Sequence, residues 1–189
     1  MSTEVPVRLM TTDEMLALPD DGMVRELIRG ELRERPMIFH DRWHSRAAAR
    51  IACVLSVWLD SRPEPRGEVV SGEAGFRLAR DPDTTVGIDV AYVSAEVAAR
   101  APEAAYIEGP PVLAVEILSP SDRQEDIDEK LAVYLETGVA VVWVVNPRFR
   151  TVTAYRPDAP PVLFNDQQDL TAEPHLPGFR VPVARVFGF

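Results

Sequence analysis

Two nearly unbroken apolar runs dominate the pattern of the chain, VLAVEIL at 112–118 and VAVVWVV at 139–145. Runs of this kind predict strands covered on both faces. Between them, positions 121–130 are charged and amphipathic, and Ser121 with Gln124 has the spacing of a helix capping box. Strand, helix and strand in this order predict a parallel pair joined by a right-handed crossover. Upstream, positions 41–60 carry Trp43, Ala47, Ile51, Val54, Leu55 and Trp58 as one helical stripe, which predicts the longest helix. Positions 24–35 alternate about Arg29-Gly30 and predict a β-hairpin. Positions 86–93 predict a strand in which Ile88, Val90 and Tyr92 alternate with Asp89, Ala91 and Val93.

Weaker signals fill the rest. Positions 1–10 suggest an extended lead-in with Val5, Val7 and Leu9 in alternation, and Thr11 with Glu14 offers a capping box for a short helix. Two short strands are expected at 68–70 and 74–78, and a surface helix with a loop at 95–111. A hairpin partner is expected at 151–155, a weak strand at 161–164, and an apolar tail at 176–189. The expectation is one α/β (α+β) domain over 1–189, a mixed sheet flanked by helices. It divides into an N-terminal helix and hairpin (1–35), a core (36–156) and a C-terminal extension (157–189).

The informative positions are those that break the apolar pattern. Glu116 lies inside a core strand, where an unpaired charge is costly to desolvate, so it asks for a partner, a metal ion or a proton. Asp89 lies in the same way in the 86–93 strand, and Glu26 shares a hairpin face with Val24 and Ile28. If the two strands pair, Asp89 and Glu116 can face one side and share Mg²⁺, a hard ion held by one or two carboxylates. Lys130, on the helix after Glu116, can fold back toward them, and its ammonium would stabilise developing negative charge. The plainer alternatives are a solvated pair of Lys130 with Asp126, an Arg partner for Asp89, and a solvent-facing Glu26. His40 and His44 stand at i,i+4, a spacing that can bind metal, but arginine-rich surroundings favour surface or helix-end roles. His175 lies in a Pro-rich tail, and no Gly-rich phosphate loop or nucleophile elbow is present.

Composition narrows the partners. A formal charge of −10 argues against a broad electropositive surface. It leaves room for a local basic cleft, since Arg29, Arg33, Arg35, Arg42, Arg46 and Arg50 cluster in sequence. The single cysteine, Cys53, excludes an intramolecular disulfide, and its apolar setting predicts burial in the long helix. Neither a secretion signal nor a stretch long enough to span a bilayer is visible, which suggests a cytoplasmic protein without membrane partners.

The ordered combination of MTTDEMLALPDDGMVRELIRGEL, His44, GIDVAYV, VLAVEILSPS, DEKLAVYLETGVAVVWVVNP and the closing LPGF resembles the Uma-type family of putative restriction endonucleases. That family lies within the PD-(D/E)XK nuclease superfamily. The resemblance implies a restriction-endonuclease-like mixed sheet flanked by helices, and a Mg²⁺- or Mn²⁺-dependent endonuclease hydrolysing DNA phosphodiester bonds. It places Asp89 and Glu116 as metal ligands, with the backbone carbonyl of Ile117 as a third, and Lys130 as the catalytic ammonium. The wider superfamily carries its Lys where this chain has Leu118, and the residue before Asp89 is Ile88 rather than Pro. Glu26 and His44 match recurrent family positions in supporting roles. Small nucleases often cut two strands as dimers, so a homodimer is expected. The alternative is a non-catalytic module that keeps the nuclease fold for dimerisation or partner binding.

Overall fold

The computed structural model describes residues 8–37 and 39–188; most of the expected lead-in lies outside them. The chain begins with α1 (Thr12–Leu16), where both arms of the Thr11–Glu14 capping box form. The expected hairpin follows as β1 (Met23–Ile28) and β2 (Glu31–Pro36). It reverses on Arg29 and Gly30, both at positive φ (51° and 80°), the twist that suits a two-residue turn. Helix α2 (Arg42–Asp60) is capped by the Asp41 carboxylate, which accepts from the Trp43 and His44 amides at 2.8 Å each.

Its buried face is His44, Ala47, Ile51, Leu55, Trp58 and Leu59. The stripe therefore runs back from Ala47 to His44, by three residues, and Trp43 is left 47% exposed. Cys53 is exposed as well, contrary to the expected burial. Two residues beyond Ile51, it points about 200° away around the helix, onto the solvent face.

Strand β3 (Glu68–Ala79) is one long strand where two were expected, continuous through an irregularity between Ser71 and Ala74. Gly72 and Glu73, both at positive φ, absorb the extra residues there. Next come β4 (Thr84–Val93), a one-turn α3 (Ala95–Ala98), β5 (Ile107–Glu108) and β6 (Leu113–Ile117). Helix α4 (Gln124–Glu136) leads to β7 (Val141–Asn146), which pairs parallel to β6 as the strand–helix–strand pattern predicts. The expected Ser121–Gln124 box does not form. Ser121 instead bonds the Ser119 hydroxyl, Asp122 takes the Ser119 amide, and α4 starts from Arg123 without a side-chain cap. The chain ends with β8 (Thr151–Arg156), β9 (Ala159–Asn165), β10 (Asp169–Thr171), β11 (Arg180–Pro182) and α5 (Val183–Val186).

The main sheet runs β2-β1-β4-β6-β7-β8-β9, with β3 along the other edge of β4. One face packs on α2, α5 and the C-terminal segment through Ile51, Leu55, Val115, Trp143, Leu176 and Val183. The other packs on α3 and α4 through Phe76, Ile88, Ala114, Val133, Tyr134 and Val142. Strand β4 is central and shares one edge between two partners. Thr85 pairs with Leu27 of β1, and Val90 to Tyr92 pair with Val115 to Leu113 of β6. Positions 86–89 of β4 therefore face a fork where β1 and β6 part.

Candidate active site

The fork leaves backbone groups of β4 without strand partners, and buried backbone groups must find others. Side chains supply them. The Glu26 carboxylate of β1 accepts from the Gly87 amide at 3.0 Å. The Lys130 ammonium of α4 donates to the Gly87 carbonyl at 3.2 Å. On the β6 side, the Ile117 amide donates to Asp89 Oδ2 at 2.7 Å. Extending the register of β4 and β6 by one position sets Asp89 opposite Glu116, so both carboxylates lie across the same opening.

Lys130 joins them. As the seventh residue of α4 it stands about 10 Å along the helix axis, less than a helix capped at Ser121 would place it. Its Nζ lies 2.9 Å from Glu26 Oε1 and 3.6 Å from Glu116 Oε2. The Tyr134 hydroxyl, one helical turn further on, donates to Glu116 Oε1 at 2.5 Å. His44 of α2 places Nε2 at 3.2 Å from Asp89 Oδ2. Glu26, Asp89 and Glu116 are each about 8% exposed and His44 5%. All five polar side chains expected at the site thus converge in one buried cluster from β1, α2, β4, β6 and α4. Ile117 enters it through its amide, and a solvated Lys130–Asp126 pair is not what the helix forms.

Burial sets the electrostatics. It lifts Glu116 from the ordinary 4.5 to about 7, against the pull of Lys130 and with the push of Asp89. Burial also works to discharge Lys130, but the Glu116 and Glu26 carboxylates outweigh it and hold the ammonium above its ordinary value. For Asp89, burial is outweighed by the hydrogen bond and charge of His44 and by the Ile117 amide, so its carboxyl titrates below the usual range. His44 is raised in turn, burial being outweighed by Asp89. Burial and the neighbouring Glu116 push Tyr134 well above its ordinary value, so it remains a donor.

Three carboxylates face one ammonium and one imidazole. A cluster with surplus negative charge, one member of which resists ionisation, is chemically suited to a divalent cation. His40 adds a second set of donors. Its ring stacks on His44 at 4.0 Å, and one ligand atom each from His40, His44 and Asp89 lie within 4.8 Å of one another. Of the surface or helix-end roles expected for the His pair, His44 takes the helix end, in the first turn of α2, but is buried against Asp89. Tyr134 was not expected at all, although its i+4 spacing from Lys130 puts both on one helical face. His175 stays exposed, away from the cluster.

Five of the six clustered arginines fall into two groups. Arg29, Arg33 and Arg35 on the hairpin are neutralised by Glu136, Glu129 and Glu73. Arg42 and Arg46 on α2 make no ion pair among the described residues and lie 5.0 and 5.4 Å from the ring centre of Trp43.

A sequence model of the Uma2 family, described as "Putative restriction endonuclease", matches residues 12–184. A solved structure described as a putative nuclease belonging to DUF820, from Anabaena variabilis ATCC 29413, has a similar fold with a TM-score of 0.76. The two are 21% identical, over 94% of this chain and 97% of that one. No curated protein matches the chain. Among the described residues, no helix is long and apolar enough to cross a membrane.

Proposed function

The chain belongs to the Uma2 family of putative restriction endonucleases, and from that premise we propose that it is a metal-dependent endonuclease hydrolysing DNA phosphodiester bonds at the fork of its sheet. The observation that carries this reading is the convergence of Asp89, Glu116 and Lys130. They come from two strands and a helix, with Lys130 Nζ 3.6 Å from Glu116 Oε2. Asp89 and Glu116 would hold Mg²⁺ or Mn²⁺, with the Ile117 carbonyl as a further ligand. The donor set fits such an ion, because two opposed buried carboxylates, one titrating near 7, gain most from a bound dication. When bound, the ion supplies Lewis-acid charge neutralisation at the phosphodiester and acidifies a coordinated water.

The chain's own residues do the rest. Lys130, with no Lys at Leu118, offers its ammonium to the negative charge that develops on the phosphate oxygens. Glu26 and the Gly87 carbonyl hold that ammonium in place. Tyr134 orients the Glu116 carboxylate, and His44 orients Asp89. We further propose a homodimer that pairs through β9, the outer strand of the main sheet, whose Val162 and Leu163 are exposed. A monomeric mass by light scattering at micromolar protein would refute the dimer.

The test of the activity is cleavage of supercoiled plasmid with Mg²⁺ or Mn²⁺. Wild type should nick it, while Glu116→Gln and Asp89→Ala should not. Calorimetric titration with Mn²⁺ should show binding heat that Asp89→Ala abolishes. Equal heats for the two proteins, or nicking that survives Glu116→Gln, would overturn the assignment.

A further inference from the structure

Beyond the C-terminal ends of β6 and β7 a cleft of about 620 Å³ opens, lined by Trp43, Arg46, Ser119, Arg148, Phe149 and Phe187 among others. Crevices at the carboxyl ends of parallel strands are where open sheets of this kind bind ligands, and this volume suits a small molecule or one nucleotide. The cleft adjoins the candidate active site along the chain, since Trp43 on its wall precedes His44. Leu118, on its wall, follows Glu116 by two residues, about 7 Å of strand at ~3.3 Å per residue.

Its chemistry differs from the rest of the surface. Trp43 is 47% and Phe149 70% exposed, so part of each ring is open to solvent. Arg46 lies over Trp43 at 5.4 Å, and Arg148 over Phe149 at 5.7 Å. Among the described residues neither guanidinium has a carboxylate partner, whereas the hairpin arginines do. Among the described residues the cleft wall carries one carboxylate, Asp41, which caps α2, and a third lining arginine, Arg150, is paired with Asp166 at 3.3 Å. A chain of net charge −10 thus places two arginines without a carboxylate partner and two part-exposed rings in one cleft.

Rings next to arginines fit a base with its phosphate: any base can stack, and the guanidinium takes the anion. Within a duplex the base faces are hidden in the stack. Only an unpaired base can present one to Trp43 or Phe149. An apolar peptide would leave the arginines unmatched, and a second copy of the same face would bring like charges together. We infer that this cleft seats an unpaired nucleobase flanking the phosphate to be cut, so that the preferred DNA is single-stranded or locally unpaired. The inference rests on the nuclease reading above and adds the substrate class.

The test is fluorescence anisotropy without divalent cation, using labelled oligo(dT), a duplex of equal length and an abasic strand of equal length. Oligo(dT) should bind wild type at least tenfold more tightly than either. Phe149→Ala and Trp43→Ala should each weaken oligo(dT) about tenfold and leave the abasic strand unchanged, while Val57→Ala, an exposed apolar side chain of α2 that does not line the cleft, should bind as wild type does. Phe149 is a surface side chain, so its variant separates lost stacking from lost folding. Equal affinity for oligo(dT) and the abasic strand, or ring variants that bind normally, would overturn the inference. Preference for duplex, with duplex cut, would overturn it and leave the nuclease reading standing. A wild type that binds none of the three would overturn the inference, while the nuclease reading stands or falls on plasmid nicking. Ring variants that turn a dimer into a monomer would assign the cleft to a second copy instead.

Discussion

Glu116→Gln removes a charge with almost no change of volume, and it should stabilise the protein while removing its activity. Burial lifts Glu116 from 4.5 to about 7, with Lys130 pulling against the shift and Asp89 adding to it. The folded state therefore holds a proton that the unfolded chain has already lost. Between pH 4.5 and about 7, stability falls as pH rises, and above that window the whole cost is present. At 1.36 kcal/mol per pH unit the cost is on the order of 3 kcal/mol. Glutamine does not ionise, its carbonyl can still accept from Tyr134, and Lys130 keeps Glu26 at 2.9 Å. The advantage of the variant should be small at pH 5 and on the order of 3 kcal/mol at pH 8, or roughly 6–12 °C in Tm for a chain of this size. Urea unfolding in EDTA at the two pH values, followed by fluorescence of the buried Trp143, measures it. A variant no more stable than wild type at pH 8, or one whose gain is the same at pH 5, would refute the reasoning.

Lys130→Met should do the opposite, because Glu26 and Glu116 would be buried without their counter-charge; a loss of about 3–5 kcal/mol is expected in urea unfolding at pH 8, and a smaller one at pH 5. Tyr134→Phe removes a hydrogen bond to Glu116, and it should cost about 1–3 kcal/mol and move the acidic limb of the cleavage pH profile upward. His44→Gln should destabilise most at low pH. The raised imidazole contributes stability that is fully present below 6.5 and lost as pH rises through its folded value, so the difference from wild type in thermal unfolding should shrink toward pH 8.

The polar members of the site were readable where they broke an apolar pattern. Glu116 and Asp89 stand out among Val, Ile and Ala on both sides, and the desolvation cost of a carboxylate makes such positions informative. Lys130 and His44 were different. Each has an ordinary surface role at its spacing; the helix folding back over the sheet singled out Lys130, and only the family resemblance gave His44 a supporting role. Tyr134 was hidden because a tyrosine on an amphipathic helix reads as core, which it also is. The capping box at Ser121 failed because neighbouring Ser119 and Asp122 formed a competing turn. Cys53 failed because the residues beside it in sequence lie on the opposite face of α2. The fork could not be read at all. It depends on β1 and β6 meeting the same edge of β4, a tertiary fact with no local signature.

That fork makes Gly87 a spectroscopic reporter. Its amide is held by the Glu26 carboxylate, and its carbonyl by the Lys130 ammonium, where an ordinary strand position would be held by a neighbouring backbone. Any cation or phosphate that draws Glu26 or Lys130 away should loosen the amide, shifting its proton resonance and hastening its deuterium exchange. Occupancy of the site would then be visible on the main chain, in a protein without label or substrate turnover.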